Sequence, residues 1–159
     1  LKYRIGYGFD VHQLEKGKPF WLGGILIPSS HGATGHSDAD VIIHAICDAL
    51  LGAASLGDIG QHFPNTSAEF KNIDSKLLLA RVVKLLSDRK YVIGNIDATL
   101  ILESPKIAPH IPAMKKALSK VIGIEEDCIS VKATTNEKMG FVGREEGVSA
   151  HAVALIEKI

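Results

Sequence analysis

Residues 36–55 read HSDADVIIHAICDALLGAAS, and this stretch decides the fold. From Ala39 to about Ser55, the residues Val41, Ile42, Ile43, Ala45, Ile46, Ala49, Leu50, Leu51 and Ala53 leave almost no polar face. The pattern predicts a helix buried on most sides. Ser37 or Asp38 can cap it, and Gly57 stops it. The polar residues inside it fall in step: Asp40, His44 and Asp48 recur at i, i+4 and i+8 and form one stripe on an otherwise apolar surface.

Upstream, residues 3–13 read as a strand, with Ile5, Phe9 and Val11 on one side and Val11 directed to the core. Segments 18–22 and 25–28 flank Gly23-Gly24 as a hairpin. Downstream, 57–72 is a Gly/Pro/Asn loop long enough to be a functional lid. A second helix follows from Ser75 to Lys90, with Leu77, Leu78, Val82, Leu85 and Leu86 on one face. Tyr91–Leu102 reads as a strand, and Pro109 and Pro112 open a third helix that Gly123 ends. A strand at 128–134, a polar loop at 135–140 and a strand near 147–158 complete the chain. The order predicts an α+β fold, a mixed α/β sandwich forming a single domain over 1–159, with helices layered on one face of a mixed sheet.

The chain has 159 residues, 46% hydrophobic and 23% charged, which is enough to bury a real core. Lys and Arg total 18, as do Asp and Glu, so no global field draws the protein to nucleic acid or to an anionic membrane. An anionic ligand must therefore be met locally, by a metal ion or by clustered backbone amides. Cys47 and Cys128 sit in apolar surroundings and no signal-peptide pattern precedes them, so buried free thiols in a reducing compartment are expected. No apolar run approaches the ~20 residues that span a bilayer.

Four constellations carry chemistry. Asp10-Val11-His12 puts an oxygen and an imidazole on one face of a strand, a natural metal spacing. On the helix stripe, two carboxylates and an imidazole are costly to bury without partners. His44 is either a core histidine bonded to a neighbouring carboxylate or a metal ligand oriented by a carboxylate of the same stripe, and the alignment of three such groups favours the ligand. Asp10, His12 and His44 give three donors with a fourth position open, the catalytic arrangement of zinc. The run Lys132 to Phe141 leads a strand into a loop whose hydroxyls and backbone N–H groups can meet phosphate, and Glu137 offers Mg²⁺ a carboxylate. A solvated turn is the competing reading there. In Gly57-Asp58-Ile59-Gly60 the glycines permit a tight loop aiming Asp58 outward. His31, His62, His110 and His151 have no partner pattern and read as structural or surface residues. Gly6-x-Gly8 leads into a strand rather than a helix and does not support a dinucleotide fold.

Gly8-Phe9-Asp10-Val11-His12, His36-Ser37-Asp38-Ala39-Asp40-Val41, Gly57-Asp58-Ile59-Gly60, Pro105-Lys106-Ile107 and Lys132 through Lys138 occur in this order. Over essentially the whole chain this resembles the 2-C-methyl-D-erythritol 2,4-cyclodiphosphate synthases of the non-mevalonate isoprenoid pathway. The resemblance implies conversion of 4-diphosphocytidyl-2-C-methyl-D-erythritol 2-phosphate to the cyclic diphosphate with release of CMP. It implies Zn²⁺ on Asp10, His12 and His44, and Mg²⁺ or Mn²⁺ on Glu137 together with substrate phosphates. His36 and Thr135 would be the catalytic residues, stabilising the transition state through phosphate contacts, with Ser37 adding another. Asp58, Ile59 and Gly60 would meet the erythritol portion beneath a flap of Phe63, Pro64, Asn65, Thr66 and Ser67. Leu102, Glu103, Ser104, Pro105, Lys106, Ile107 and Ala108, with Ala133, Thr134 and Thr135, would form the cytosine pocket. Asp10, His12, Asn136, Glu137, Phe141 and Arg144 are counted with the substrate-binding residues, Arg144 lying near a threefold axis. The same resemblance implies a bacterial cytoplasmic homotrimer with sites between subunits, the zinc side from one chain and the cytidine side from its neighbour. His151 stands where that family has an acidic residue, and Asn65 where its flap often has Asp. Two other readings compete: a zinc-dependent phosphohydrolase using the same triad to activate water, and a metal-stabilised binding protein, which would need four protein ligands.

Overall fold

In the computed structural model, which describes residues 1–159, a bare stretch of backbone sets how sheet and helices meet. Strand β1 (Tyr3–Lys16) turns Gly6 and Gly8 toward helix α1 (Val41–Ala53). A Cβ at Gly6 would lie 1.8 Å from the carbonyl oxygen of Ala49, and one at Gly8 would lie 1.9 Å from that of Ala45. Only glycine lets the two backbones approach so closely. Alanine at residue 8 is therefore expected to force strand and helix apart. Such overpacking costs about 3 kcal/mol or more, which lowers Tm by roughly 6–12 °C in a domain of this size. A thermal melt of Gly8→Ala measures it, and an unchanged Tm would contradict the packing.

β1 pairs antiparallel with β4 (His31–Thr34) on one side and with β7 (Gly147–Lys158) on the other. β7 pairs antiparallel with β5 (Tyr91–Ile101), and β5 runs parallel to β6 (Ile129–Thr134). The five-stranded order is β4-β1-β7-β5-β6, and β2 (Phe20–Leu22) and β3 (Ile25–Ile27) form a separate hairpin. Helices α3 (Ser75–Asp88) and α4 (Ile111–Ile122) complete the layer begun by α1, and α2 (Ile59–His62) and α5 (Gly140–Gly143) are single turns within loops. The expected α+β architecture, a mixed sheet with helices on one face, is the one formed.

The glycine contact overturns one expectation. Because residues 6, 8, 10 and 12 take the helix side, Val11 faces outward and is 44% exposed, as are its neighbours on that face, Ile5 at 73%, Tyr7 at 60% and Phe9 at 46%. β7 buries Val148, Ala150, Ala152, Ala154 and Ile156 under α1 and leaves Val153 on the bare face at 43%. The α1 cap is Asp40, not Ser37 or Asp38: its carboxylate accepts from the amides of Ile43 (3.1 Å), Gly23 (3.0 Å) and Gly24 (2.7 Å). Burial pushes the Asp40 carboxyl above the usual range against the pull of these amides. Asp40 thus ties the β2–β3 hairpin to α1, and the helix ends at Ala53, before Gly57. On α3, Leu77 is exposed and Leu79 takes its place in the core. Cys47 is buried and its thiol pushed well up by burial, whereas Cys128 is only half-buried; both are free.

Strand register sets the site. Asp10, Val11 and His12 stand opposite Ala150, Ser149 and Val148. Leu100 and Ile101 stand opposite Ala150 and Ser149 on the other side of β7, and Ala133 and Thr134 opposite Leu100 and Ile101. The Asp10–His12 end of β1 and the Thr134 end of β6 therefore share one edge of the sheet, about 14 Å apart at three strand spacings.

Candidate metal centre and neighbouring cavity

Asp10 and His12 emerge from β1 toward α1, where His44 lies one turn from the N-cap. His12 Nε2 and His44 Nδ1 each lie 2.9 Å from Asp10 Oδ2 and 3.1 Å from each other. A carboxylate oxygen and two imidazole nitrogens thus converge on one point, the donor set that suits zinc. Burial pushes the Asp10 carboxyl up, but hydrogen bonds and charge from His12 and His44 outweigh it and bring the pKa down to about 2. Burial pulls the His44 imidazole down, and the hydrogen bond and charge of Asp10 outweigh that and raise it. Asp10 is therefore ionised at neutral pH.

The orienting group of His44 is not a carboxylate of its own helix stripe. Asp40 is engaged by three amides, and Asp48 accepts from the amide of Ile59 at 2.8 Å, pinning α2 to α1. Instead, His44 Nε2 meets Ser75 Oγ at 2.9 Å and Ser37 Oγ at 3.0 Å. Ser75 is fully buried at the start of α3 and reaches Asp38. Sequence reasoning missed Ser75: next to Asp74, it reads only as the first residue after a helix cap.

The three donors open into a cavity of about 380 Å³ that also holds His36, Ser37, Asp48, Ile59, Gly60, Phe63 and Asn65. His36 Nε2 donates to the Ser67 carbonyl at 3.1 Å, tying the end of the 63–67 segment to the 36–40 turn. Pro64, Thr66 and Ser67 do not line the cavity, nor does Asp58, which caps α2 by accepting from Gln61. The loop expected at 57–72 thus contains α2 and a 3-10 turn at Ala68–Phe70.

A second cavity of about 390 Å³ is lined by Leu102, Glu103, Pro105, Lys106, Ile107, Ala108, Ala133, Thr134 and Thr135, together with Ile111, Val131 and Lys132. Ser104 lies outside it and donates to Glu145. The adjoining loop is built differently from the expected phosphate cradle. Glu103 accepts from the amides of Asn136 (3.0 Å) and Lys138 (2.9 Å), and Thr135 Oγ1 takes that of Glu137. The Glu103 carboxylate thus takes two of the loop's amides, and Glu137 and Lys138 adopt φ of 51° and 60°. The Glu137 side chain is exposed and is not among the clustered metal donors. Arg144 is exposed and paired with Glu146 at 2.8 Å, and Phe141 packs on Gly147. Among the remaining histidines, His62 donates to Leu56 O at 2.8 Å, and His151 is hydrogen-bonded to Tyr7 on the bare sheet face.

Residues 3–157 match the model of the YgbB family. A Bacteroides fragilis protein named 2-C-methyl-D-erythritol 2,4-cyclodiphosphate synthase is 58% identical over 159 residues, 100% of each chain. Among solved structures, the bifunctional IspDF from Campylobacter jejuni superposes with TM-score 0.96 at 37% identity, covering 99% of this chain and 43% of that longer one. A 2C-methyl-D-erythritol-2,4-cyclodiphosphate synthase in its CDP-bound form superposes with TM-score 0.90 at 39% identity, over 97% of this chain and 100% of that one.

Proposed function

The chain belongs to the YgbB family, and from that premise we propose that it cyclises 4-diphosphocytidyl-2-C-methyl-D-erythritol 2-phosphate to 2-C-methyl-D-erythritol 2,4-cyclodiphosphate with release of CMP. The observation that carries the proposal is the convergence of Asp10, His12 and His44 in a cavity. A substrate 2-phosphate oxygen bonds to the β-phosphorus, the α–β phosphoanhydride bond breaks, and CMP departs with the bridging oxygen. The nucleophile is the substrate's own, so the enzyme's task is positioning and charge stabilisation.

Asp10, His12 and His44 would hold Zn²⁺, and Glu137 with the substrate phosphates would hold Mg²⁺ or Mn²⁺; such ions would supply Lewis acidity and a template for the diphosphate. Ser37 Oγ already accepts from the amide of Ala39 and faces His44 Nε2, which leaves its own hydrogen for a phosphate oxygen. His36 and Thr135 stabilise the pentavalent phosphorus from the two sides of the site. Asp58 and Gly60 orient the erythritol hydroxyls, the 63–67 segment closes above them, and the Leu102–Ala108 cavity takes the cytosine. The CDP held by a structural relative supports a cytidine pocket. We place the working site between subunits of a homotrimer, where the metal cavity of one copy meets the cytidine cavity of the next. No helix is long and apolar enough to cross a membrane.

Incubating the protein with the cytidylyl substrate and measuring CMP, cyclic product and inorganic phosphate tests the proposal. Equal CMP and cyclic product are expected, and free phosphate in their place would favour the zinc-dependent phosphohydrolase. A second measurement separates the metals. Glu137 offers a single carboxylate, so its ion binds tightly only when the diphosphate completes the shell. Glu137→Gln is expected to leave zinc content at wild-type stoichiometry while weakening Mg²⁺-dependent turnover by at least about tenfold. An unchanged Mg²⁺ titration would remove Glu137 from the site.

A further inference from the structure

We infer that Ser75, backed by Asp38, is a positioning residue that fixes which nitrogen of His44 faces the metal. The inference rests on the metal reading given above. It follows from counting hydrogens around a buried hydroxyl.

Asp38 is surrounded by donors. Its Oδ1 accepts from the amide of Asp40 at 3.1 Å and from the Ser75 hydroxyl at 2.5 Å, and its Oδ2 accepts from the amide of Ser75 at 2.9 Å. A serine hydroxyl has one hydrogen and two lone pairs. With that hydrogen directed to Asp38, Ser75 Oγ meets His44 Nε2 at 2.9 Å only as an acceptor. Nε2 must then carry a proton. With Nε2 protonated, Nδ1 is the nitrogen whose lone pair would face a metal at the point where Asp10 Oδ2 and His12 Nε2 converge, in place of its hydrogen bond to Asp10.

Two backbone bonds hold this relay in place. The amide of Asp38 donates to Ile73 O at 3.1 Å and that of Asn72 to His36 O at 2.8 Å, strapping the 36–40 turn to the entry of α3. Asp40 at the end of this turn and Ser75 at the start of α3 are fully buried, and the side chain of His44 is 8% exposed. Water is therefore poorly placed to substitute for the hydroxyl. Ser37 Oγ also reaches Nε2 but has no carboxylate behind it to orient its hydrogen. Ser75 is the partner that makes the choice of nitrogen unambiguous.

The test uses the full-length protein and zinc alone. Alanine is well tolerated in the first turn of a helix, so Ser75→Ala is expected to fold. Its zinc dissociation constant, from competition with a chromogenic chelator, is expected to rise about 10- to 100-fold, the usual effect of losing a group that orients a metal-bound imidazole. In the zinc-loaded wild type, ¹⁵N NMR should show His44 protonated at Nε2 and metal-bound at Nδ1, with a slowly exchanging Nε2 proton. In Ser75→Ala that proton should exchange rapidly. A variant with zinc affinity within threefold of wild type and unchanged His44 resonances overturns the inference, even if its Tm falls, because Ser75 would then be only a structural anchor. Wild-type protein that fails to hold zinc overturns the metal reading itself, and this inference with it.

Discussion

His44→Ala is expected to lose tight zinc binding and to lower CMP release by at least about a hundred- to a thousandfold, the scale on which a preorganised charge-stabilising group acts in catalysis. Asp10 and His12 come from one strand and give two donors, and His44 closes them into a three-point site from the facing helix. The substitution leaves the fold standing for reasons of packing. α1 is anchored by Ile42, Ile43, Ile46, Leu50 and Leu51, all fully buried, and Ser75 keeps its bond to Asp38. Asp10 keeps His12 Nε2 as a hydrogen-bonding partner at 2.9 Å, so its carboxylate is not left without one. Elemental analysis, a CMP assay and circular dichroism on the same preparation check the three parts. Stoichiometric zinc with normal turnover would show the site to be elsewhere.

The second large effect concerns the bare sheet face. Ile5, Tyr7, Phe9 and Val11 on β1 and Val153 on β7 form a row of exposed apolar side chains, with the Phe9 ring centred 5.0 Å from that of His151 at a tilt of 52°. Soluble monomers rarely leave contiguous apolar patches beyond a few hundred Å² uncovered. The proposed threefold packing of identical copies would cover it. The double variant Ile5→Glu with Val153→Glu puts two carboxylates per chain into that packing. In a single chain both positions are exposed, so the charges cost little there. Light scattering is expected to give a monomer near 17.1 kDa. Zinc content should be retained and turnover should fall at least about tenfold, because binding energy from the cytidine cavity no longer reaches the metal cavity. A fully active monomer would remove the shared-site proposal.

The sequence was most legible where one residue type admits one use. The apolar run of α1, the Gly23-Gly24 hairpin, the Pro109 and Pro112 helix start and the Gly123 stop all read correctly, because periodicity and turn chemistry act locally. The clustering of Asp10, His12 and His44 was also legible, since two of its members share a strand face and the third interrupts an apolar helix. Other features depended on contacts that no local pattern carries. Val11 was assigned to the core on alternation alone, which cannot tell which face of β1 meets the helix; the close fit of Gly6 and Gly8 decides that. Asp40 and Asp48 looked like orienting carboxylates, yet their partners are backbone amides of the β2–β3 hairpin and of α2. Ser75 lies 31 residues from His44, and Glu103 lies 33 and 35 residues from the amides it holds, separations at which spacing carries no signal.

β1 puts its alternate residues to separate uses. One set (6, 8, 10 and 12) seats the helix and presents metal donors, and the other (5, 7, 9 and 11) forms the bare apolar face. A shift of one residue in its pairing exchanges the two sets completely. Single-residue insertions or deletions within residues 5–12 should therefore be absent from functional variants of this chain, whereas length changes at the exposed turn around Gly17 need not disturb either set. Substitution on one face of the strand can be accepted without reference to the other, so the outward set can exchange one apolar side chain for another within the proposed packing while the donors stay fixed. Length, rather than residue identity, is what natural variation in this strand has least freedom to change.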